Sequence, residues 1–227
     1  MKKDLSGKTL GVIHAGTFVA ATGAKFHQMI MPEVKLLHIC DDTLLDEVRK
    51  AGPGKTPKFN YYRFVTYAYF LQETGADLVM LGCSTMGPAV PLAHPLVNVP
   101  LLNIDWPMMQ KAVRDGHRIG LLCTLDTTVP SSTALLQRAA DEASKTIEVV
   151  QLFSAEAFAA LRAGNVARHD EILLDMIRKG EKSLDAIVLA QLSMAELDDR
   201  TYGKFKIPVY NSGREGWTRA REMLEEM

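Results

Sequence analysis

Two stretches of this chain repeat one another. DLVMLGCSTM (77–86) aligns with DAIVLAQLSM (185–194), and PLLNID (100–105) with PVYNSG (208–213), each pair 108 positions apart. GVIHAGT (11–17) and GLLCTLD (120–126) pair more loosely, 109 apart. Three segments recurring in one order at nearly constant spacing imply two similar lobes built from a duplicated unit. At 227 residues the chain holds two units of ordinary domain size. The copies are not chemically equal: where one carries Cys83, the other carries Gln191.

Hydrophobic patterning fills in the unit. TLGVIHA (9–15) and VKLLHIC (34–40) read as buried strands, the second followed by the helical pattern TLLDEVRKA. Gly52-Pro53-Gly54 breaks the chain before a helix over 60–76. Strands at 77–82 and 100–104 flank a segment interrupted by Pro88, Pro91 and Pro95. The pattern then restarts. Helices are predicted at 106–115, 131–144, 155–163, 167–182 and 214–226, and strands at 118–123, 147–153, 185–190 and 207–211. Strands alternating with helices predict an α/β protein. Its two similar lobes are each a parallel sheet flanked by helices, related by pseudo-twofold duplication, with the active site in the cleft between them. Residues 1–104 with 214–227 form the expected N-terminal lobe, and 105–213 the C-terminal one.

Several function classes fall away. A formal charge of −1 and no long basic stripe argue against nucleic acid as a partner. No apolar run is long enough for a membrane span. Asp4, Lys8 and His14 break the otherwise leader-like start, and cleavage near Ala24 would remove a strand the repeat requires. Three cysteines, Cys40, Cys83 and Cys123, with no CxxC pair, fit reduced thiols in a cytoplasmic protein and no structural zinc site. The six histidines show no metal-ligand spacing. GKT (54–56) lacks the first glycine of a phosphate loop and follows a helix, and HAGTFVAATG lacks GxGxxG. The charges of 167–183, at helical spacing, read as a solvated face.

Parallel sheets bind ligands at the carboxyl ends of their strands, so residues 14–18, 82–86, 123–128 and 190–194 are the place to look. A thiol at Cys83 would lie near free backbone N–H groups, which lower a thiol pKa, although a buried packing cysteine fits the position too. Thr17, Ser84, Thr85, Thr124, Thr127, Thr128 and Ser193 supply hydroxyls for an oxyanion or carboxylate, or else cap helices. His14 ends the first strand, where it could act as an acid or base or simply bond to backbone; Asp126 is a weaker candidate for the same duty. Asn103 and Asn211 match across the repeat and suit the turns leaving their strands, while Asp105 receives no role.

LGCSTM (81–86) resembles the first cysteine motif of the aspartate/glutamate racemase superfamily, which includes hydantoin and allantoin racemases, maleate isomerases and arylmalonate decarboxylases. CTLDTTVPS (123–131) is similar to the Thr-Leu-x-x-Thr/Ser-Val-Pro stretch of the hydantoin racemase branch, and AQLSM (190–194) occupies the place of that branch's second cysteine motif. The resemblance covers nearly the whole chain. It implies a cofactor-independent isomerase with Cys83 as catalytic thiol, no metal, a small carboxylate or cyclic imide such as a hydantoin as substrate, and a homo-oligomer. Ser84, Thr85, Thr124, Thr127, Thr17, His14 and Ser193 become expected substrate contacts.

The departure from the family pattern limits the chemistry. Such racemases place one cysteine on each face of the substrate carbon. A carboxamide has no proton to exchange, so Gln191 is expected to bind substrate rather than to turn it over. One-sided isomerisation, thiol addition to a double bond, and decarboxylation quenched by one donor all remain. The last resembles arylmalonate decarboxylases, although their retained cysteine lies in the second lobe. A cleft that binds a ligand without turnover is the non-enzymatic alternative.

Overall fold

The computed structural model describes residues 3–227. The first repeat runs β1 (Thr9–His14), α1 (Ala20–Ile30), β2 (Lys35–Cys40), α2 (Asp42–Ala51), α3 (Lys58–Glu73), β3 (Leu78–Leu81), α4 (Ala89–Ala93) and β4 (Leu101–Asn103). The second runs α5 (Trp106–Asp115), β5 (Arg118–Cys123), α6 (Thr128–Glu142), β6 (Glu148–Phe153), α7 (Ala155–Arg162), α8 (Val166–Gly180), β7 (Ala186–Leu189), α9 (Asp198–Thr201), β8 (Val209–Asn211) and α10 (Ser212–Glu226).

Each repeat forms a four-stranded, wholly parallel sheet, ordered β2-β1-β3-β4 and β6-β5-β7-β8. The central β3 (LVML) and β7 (AIVL) are buried at every residue, as strands covered by helices on both faces must be. The edge strands β2 and β6 are only partly buried.

Local chemistry explains where elements begin. Asp41 accepts from the Thr43 N–H to cap α2, and Ser154 and Asn165 cap α7 and α8 in the same way. The helix expected from Ser131 starts at Thr128, because Pro130 sits in its first turn, where no intrahelical N–H is missed. The proline-interrupted segment contains the short α4, which starts after Pro88 by the same logic.

The helix that follows the last strand of each sheet, α5 after β4 and α10 after β8, packs on the other sheet. Trp217, Ala220 and Leu224 of α10 join Leu10, Val12, Phe26, Met80 and Ile104 in one buried cluster. Met108, Met109, Ala112 and Val113 of α5 pack with Ile119, Leu121 and Val188. Gly216 permits the close approach of α10: a β-carbon there would lie 2.6 Å from the Ile104 carbonyl oxygen. This exchange ties the two sheets together and sets the ends of β3 and β7 opposite one another. Among the described residues, no helix is long and apolar enough to cross a membrane.

Candidate active site

The strand ends of both lobes enclose one cavity of about 50 Å³, lined by Gly16, Phe18, Cys83, Ser84, Thr85 and Leu125, with Thr128, Gln191, Leu192 and Ser193 among the rest. Cys83 and Gln191 occupy the same place in their repeats. Each is extended, follows a buried strand, and starts a 3-10 turn. Thr85 of the first lobe and Thr128 of the second share a hydrogen bond of 3.1 Å across the cleft. A larger hollow of about 360 Å³ lies between α4 and α6, around Trp106 and Arg138; His94 and Ser131 line it, but neither of the matched strand-end residues Cys83 and Gln191 does. The smaller one, which holds the matched strand ends, is the candidate site.

Gln191 is held rigidly. Its Oε1 accepts from the Thr124 N–H (2.6 Å), the Thr124 hydroxyl (3.0 Å) and the Leu125 N–H (3.2 Å). Two of these partners can only donate, which fixes the oxygen on that side and turns the –NH₂ the other way. Gln191 therefore offers donors to the cleft and no acceptor. Thr124 does not line the cavity, contrary to expectation; both of its donors are committed to Gln191.

Cys83 is half-buried; the backbone N–H groups of Thr85 and Met86 lie near its sulfur, and that of Met86 donates to the Cys83 carbonyl at 3.2 Å. Those dipoles favour a thiolate, as expected from sequence, but burial outweighs them, and the nearby Asp105 charge acts in the same direction as burial. The thiol is pushed up to about 11, so at neutral pH it carries its proton. A lowered pKa was the sequence expectation; the surroundings of the strand end reverse it.

Asp105 is the group that sequence reasoning left without a role. It is fully buried, and burial raises its carboxyl to about 6. The Ser84 and Ser212 hydroxyls lie close enough to favour its charge, yet neither meets hydrogen-bond geometry, so both carboxyl oxygens stay unpartnered. Its signal in sequence was an acid directly after an apolar strand, at a position where the second repeat has Gly213. Thr128 lines the cleft, whereas its neighbour Thr127 faces an adjoining hollow of about 200 Å³ beside Lys55 and Tyr61.

Other expected contacts lie elsewhere. Thr17 is exposed and bonds Asp42 through its N–H and hydroxyl. His14 is fully buried, with Nε2 3.2 Å from His38 Nδ1, and burial together with His38 lowers it to about 4. It follows Ile13, which pairs with Leu81, so it lies beside Gly82 on one face of the sheet; Cys83, the next residue, projects from the other. It does not line the cavity. Asp126 is exposed and accepts from the Thr127 N–H. Ser84, Thr85 and Ser193 do line it. Asn103 and Asn211 accept from the N–H groups of Asp105 and Arg214, closing the turns after β4 and β8. No group of three or more His, Cys, Asp or Glu among the described residues is arranged to hold a metal ion.

The model of the Asp/Glu/Hydantoin racemase family matches residues 28–220. No curated protein matches the chain by sequence. Among solved structures, an allantoin racemase from Klebsiella pneumoniae superposes with a TM-score of 0.68 at 18% identity, over 96% of this chain and 86% of that one. An aspartate racemase homologue from Pyrococcus horikoshii gives 0.72 at 17% identity, over 96% and 99%. A glutamate racemase from Francisella tularensis, in complex with D-glutamate, gives 0.72 at 14% identity, over 98% and 82%.

Proposed function

Because the chain belongs to the Asp/Glu/hydantoin racemase family, we propose that it is a cofactor-independent, racemase-type isomerase that moves a proton at the α-carbon of a small carboxylate or hydantoin-like ring. Among the described residues that line the cleft, Cys83 is the one with an acid–base side chain; the others offer hydroxyls, an amide or apolar groups. The observation that carries this reading is the pairing of a thiol and an amide at equivalent strand ends over one cavity.

The thiolate form of Cys83, the minor one at neutral pH, takes the α-proton, which leaves negative charge on the adjoining carbonyl or carboxylate oxygens. The Gln191 –NH₂, held by Thr124 and Leu125, and the hydroxyls of Thr85 and Ser193 are placed to donate to that charge. Reprotonation by Cys83 returns the proton to the face it left. Inversion requires a proton from the Gln191 face, where only water can supply one. The reaction is thus expected to exchange the α-hydrogen faster than it inverts the centre. The cavity of about 50 Å³ has room for a few waters rather than for a substituted carboxylate, so substrate entry requires the two lobes, joined at Thr85–Thr128, to separate. The three free thiols suit a cytoplasmic protein.

A panel of dicarboxylates, hydantoins and malonates, screened by thermal shift and then by NMR in D₂O, tests this. The expected result is deuterium uptake at the α-carbon that Cys83→Ala abolishes. Uptake that survives Cys83→Ala removes the assignment.

One observation favours a second reading, decarboxylation. A thiol raised to about 11 is a standing proton donor and a poor base at neutral pH. Loss of CO₂ from a malonate leaves an enediolate; Cys83 protonates its carbon, and the thiolate regains a proton from water. Release of CO₂ from the malonates, without exchange into the other substrates, would select this reading.

A further inference from the structure

A place that the second repeat fills with its own carboxylate stands open in the first. In the second repeat Asp198 closes a polar cluster. Its carboxylate accepts from Asn211 Nδ2 at 2.8 Å and from Arg214 Nε at 2.9 Å, and the Arg214 Cζ lies 4.0 Å from the ring centroid of Tyr202. Counting back 108 residues turns Asp198, Tyr202, Asn211 and Arg214 into Val90, His94, Asn103 and Trp106. All four line the hollow of about 360 Å³ between α4 and α6.

With valine in place of the acid, the first repeat leaves its asparagine half-used. Asn103 Oδ1 accepts from the Asp105 N–H at 3.0 Å; that group can only donate, which fixes the oxygen there and turns Nδ2 the other way. Nδ2 has no partner among the described residues, although Asn103 is only 7% exposed and lines the hollow. Gly87 leaves the amide uncovered, since a β-carbon there would lie 2.7 Å from Nδ2. A buried donor without an acceptor costs stability, and a ligand oxygen would supply the acceptor. A cation is present as well. Arg138 of α6 sets its Cζ 4.8 Å from the Trp106 ring centroid, so the guanidinium-on-ring pair of the second repeat recurs with different residues. Its Nε bonds Glu142 at 2.9 Å, an exposed pair that holds it weakly, and its two Nη groups have no partner among the described residues.

We propose that this hollow is a second ligand site, which takes a monocarboxylate with a compact apolar body. The ligand's carboxylate takes the role of Asp198, accepting from Asn103 Nδ2 and pairing with Arg138. Its body packs on Trp106, between Pro91 of α4 and Leu135 of α6. The volume is that of an ordinary small-molecule pocket, apolar for the most part with a few placed polar groups. The hollow shares no lining residue with the Cys83 cavity, so the proposal does not depend on what the cleft catalyses. A bound ligand touches α4 of the first lobe and α6 of the second, and so bridges the two.

Equilibrium binding to the full chain tests this, with benzoate, phenylacetate and hexanoate as probes, each beside the alcohol of the same skeleton. Trp106 reports occupancy by its fluorescence; the other tryptophan, Trp217, is fully buried in a separate cluster. At least one carboxylate is expected to bind and shift the emission, with its alcohol weaker by about 10-fold or more. Val90→Asp returns the acid of the second repeat to α4 and should abolish binding. Arg138→Gln should weaken the carboxylate by about 10- to 100-fold and leave the alcohol unchanged. Should Val90→Asp fail to fold, Arg138→Gln, on an exposed side chain, decides alone. A wild type that binds no carboxylate at millimolar concentration, or that binds the alcohols equally well, would overturn the proposal. So would binding that Val90→Asp or Arg138→Gln leaves unchanged, as it would for a probe seated beside Cys83.

Discussion

The ends of β3 and β7 share a backbone and differ in what the neighbouring loop gives them. Cys83 (φ −142°, ψ 112°) and Gln191 (φ −150°, ψ 135°) leave their sheets in nearly the same direction. In the second lobe the loop after β5, Thr124-Leu125, grips the Gln191 amide with three donors. The equivalent loop after β1 is Ala15-Gly16, which lines the cavity and has no side-chain donor for the sulfur. One copy holds its side chain as a fixed donor; the other leaves a thiol free to meet a ligand. Duplicated packing keeps two positions in register, and the loop beside each decides whether its side chain is held or left free.

Removing the thiol should break this contrast most severely. Cys83→Ala is expected to cut α-proton exchange by about 10³-fold, the scale of losing a positioned acid–base group, with thermal stability unchanged; NMR exchange rates and a melting curve check both. Making the two ends alike tests it from the other side. Gln191→Cys places a second thiol on the opposite face, and the expected outcome is inverted product formed much faster than by the wild type, read on a chiral column. Persistence of exchange without inversion would mean that the two faces are not opposed across the substrate carbon.

Asp105 sharpens the contrast electrostatically. Its folded pKa, about 6, lies above the 3.8 of an ordinary aspartate, so folding favours the neutral acid. That contribution is whole below about pH 4 and is lost as pH rises through 6. Asp105→Asn should therefore stabilise the protein at pH 8 by up to about 3 kcal/mol and change little at pH 4, as denaturant unfolding at the two pH values would reveal. Because the Asp105 charge also raises the Cys83 thiol, the same variant should alkylate at Cys83 at lower pH. His14 acts in the reverse sense. Its lowered pKa contributes stability above about pH 6.5 that is lost as pH falls toward 4, so Asp105→Asn should expose a steeper acid loss.

The smallest expected effect falls on the grip itself. Thr124→Val removes one of three donors to Gln191, worth about 1 kcal/mol, and should raise KM by about 5-fold while kcat changes less. Steady-state kinetics with the best substrate separates the two.

The layered α/β fold was legible because a duplicated unit writes its strands twice. Where β3 alone is a short apolar run, its match with β7 at constant offset identifies both. Element ends were less legible: Pro130 looked like a boundary and is instead the first turn of α6. Within the site, Cys83, Ser84, Thr85, Gln191 and Ser193 were readable from strand ends, and the cavity contains all five. Thr17, His14, Thr124 and Thr127 fall in the same loops but outside it: His14 projects from the other face of its strand, Thr124 is turned to Gln191, and Thr17 and Thr127 lie in the helical turns that follow.

By itself the sequence determined two parallel sheets, their order along the chain, and a chemical asymmetry at matched positions, all properties of local pattern and repetition. Only the tertiary structure decided which protonation state the thiol holds, that the amide presents N–H rather than C=O, and that Asp105 lies beside Cys83. Those depend on burial and on partners from distant segments. Desolvation and hydrogen-bond geometry are set in three dimensions, where residues far apart in sequence meet.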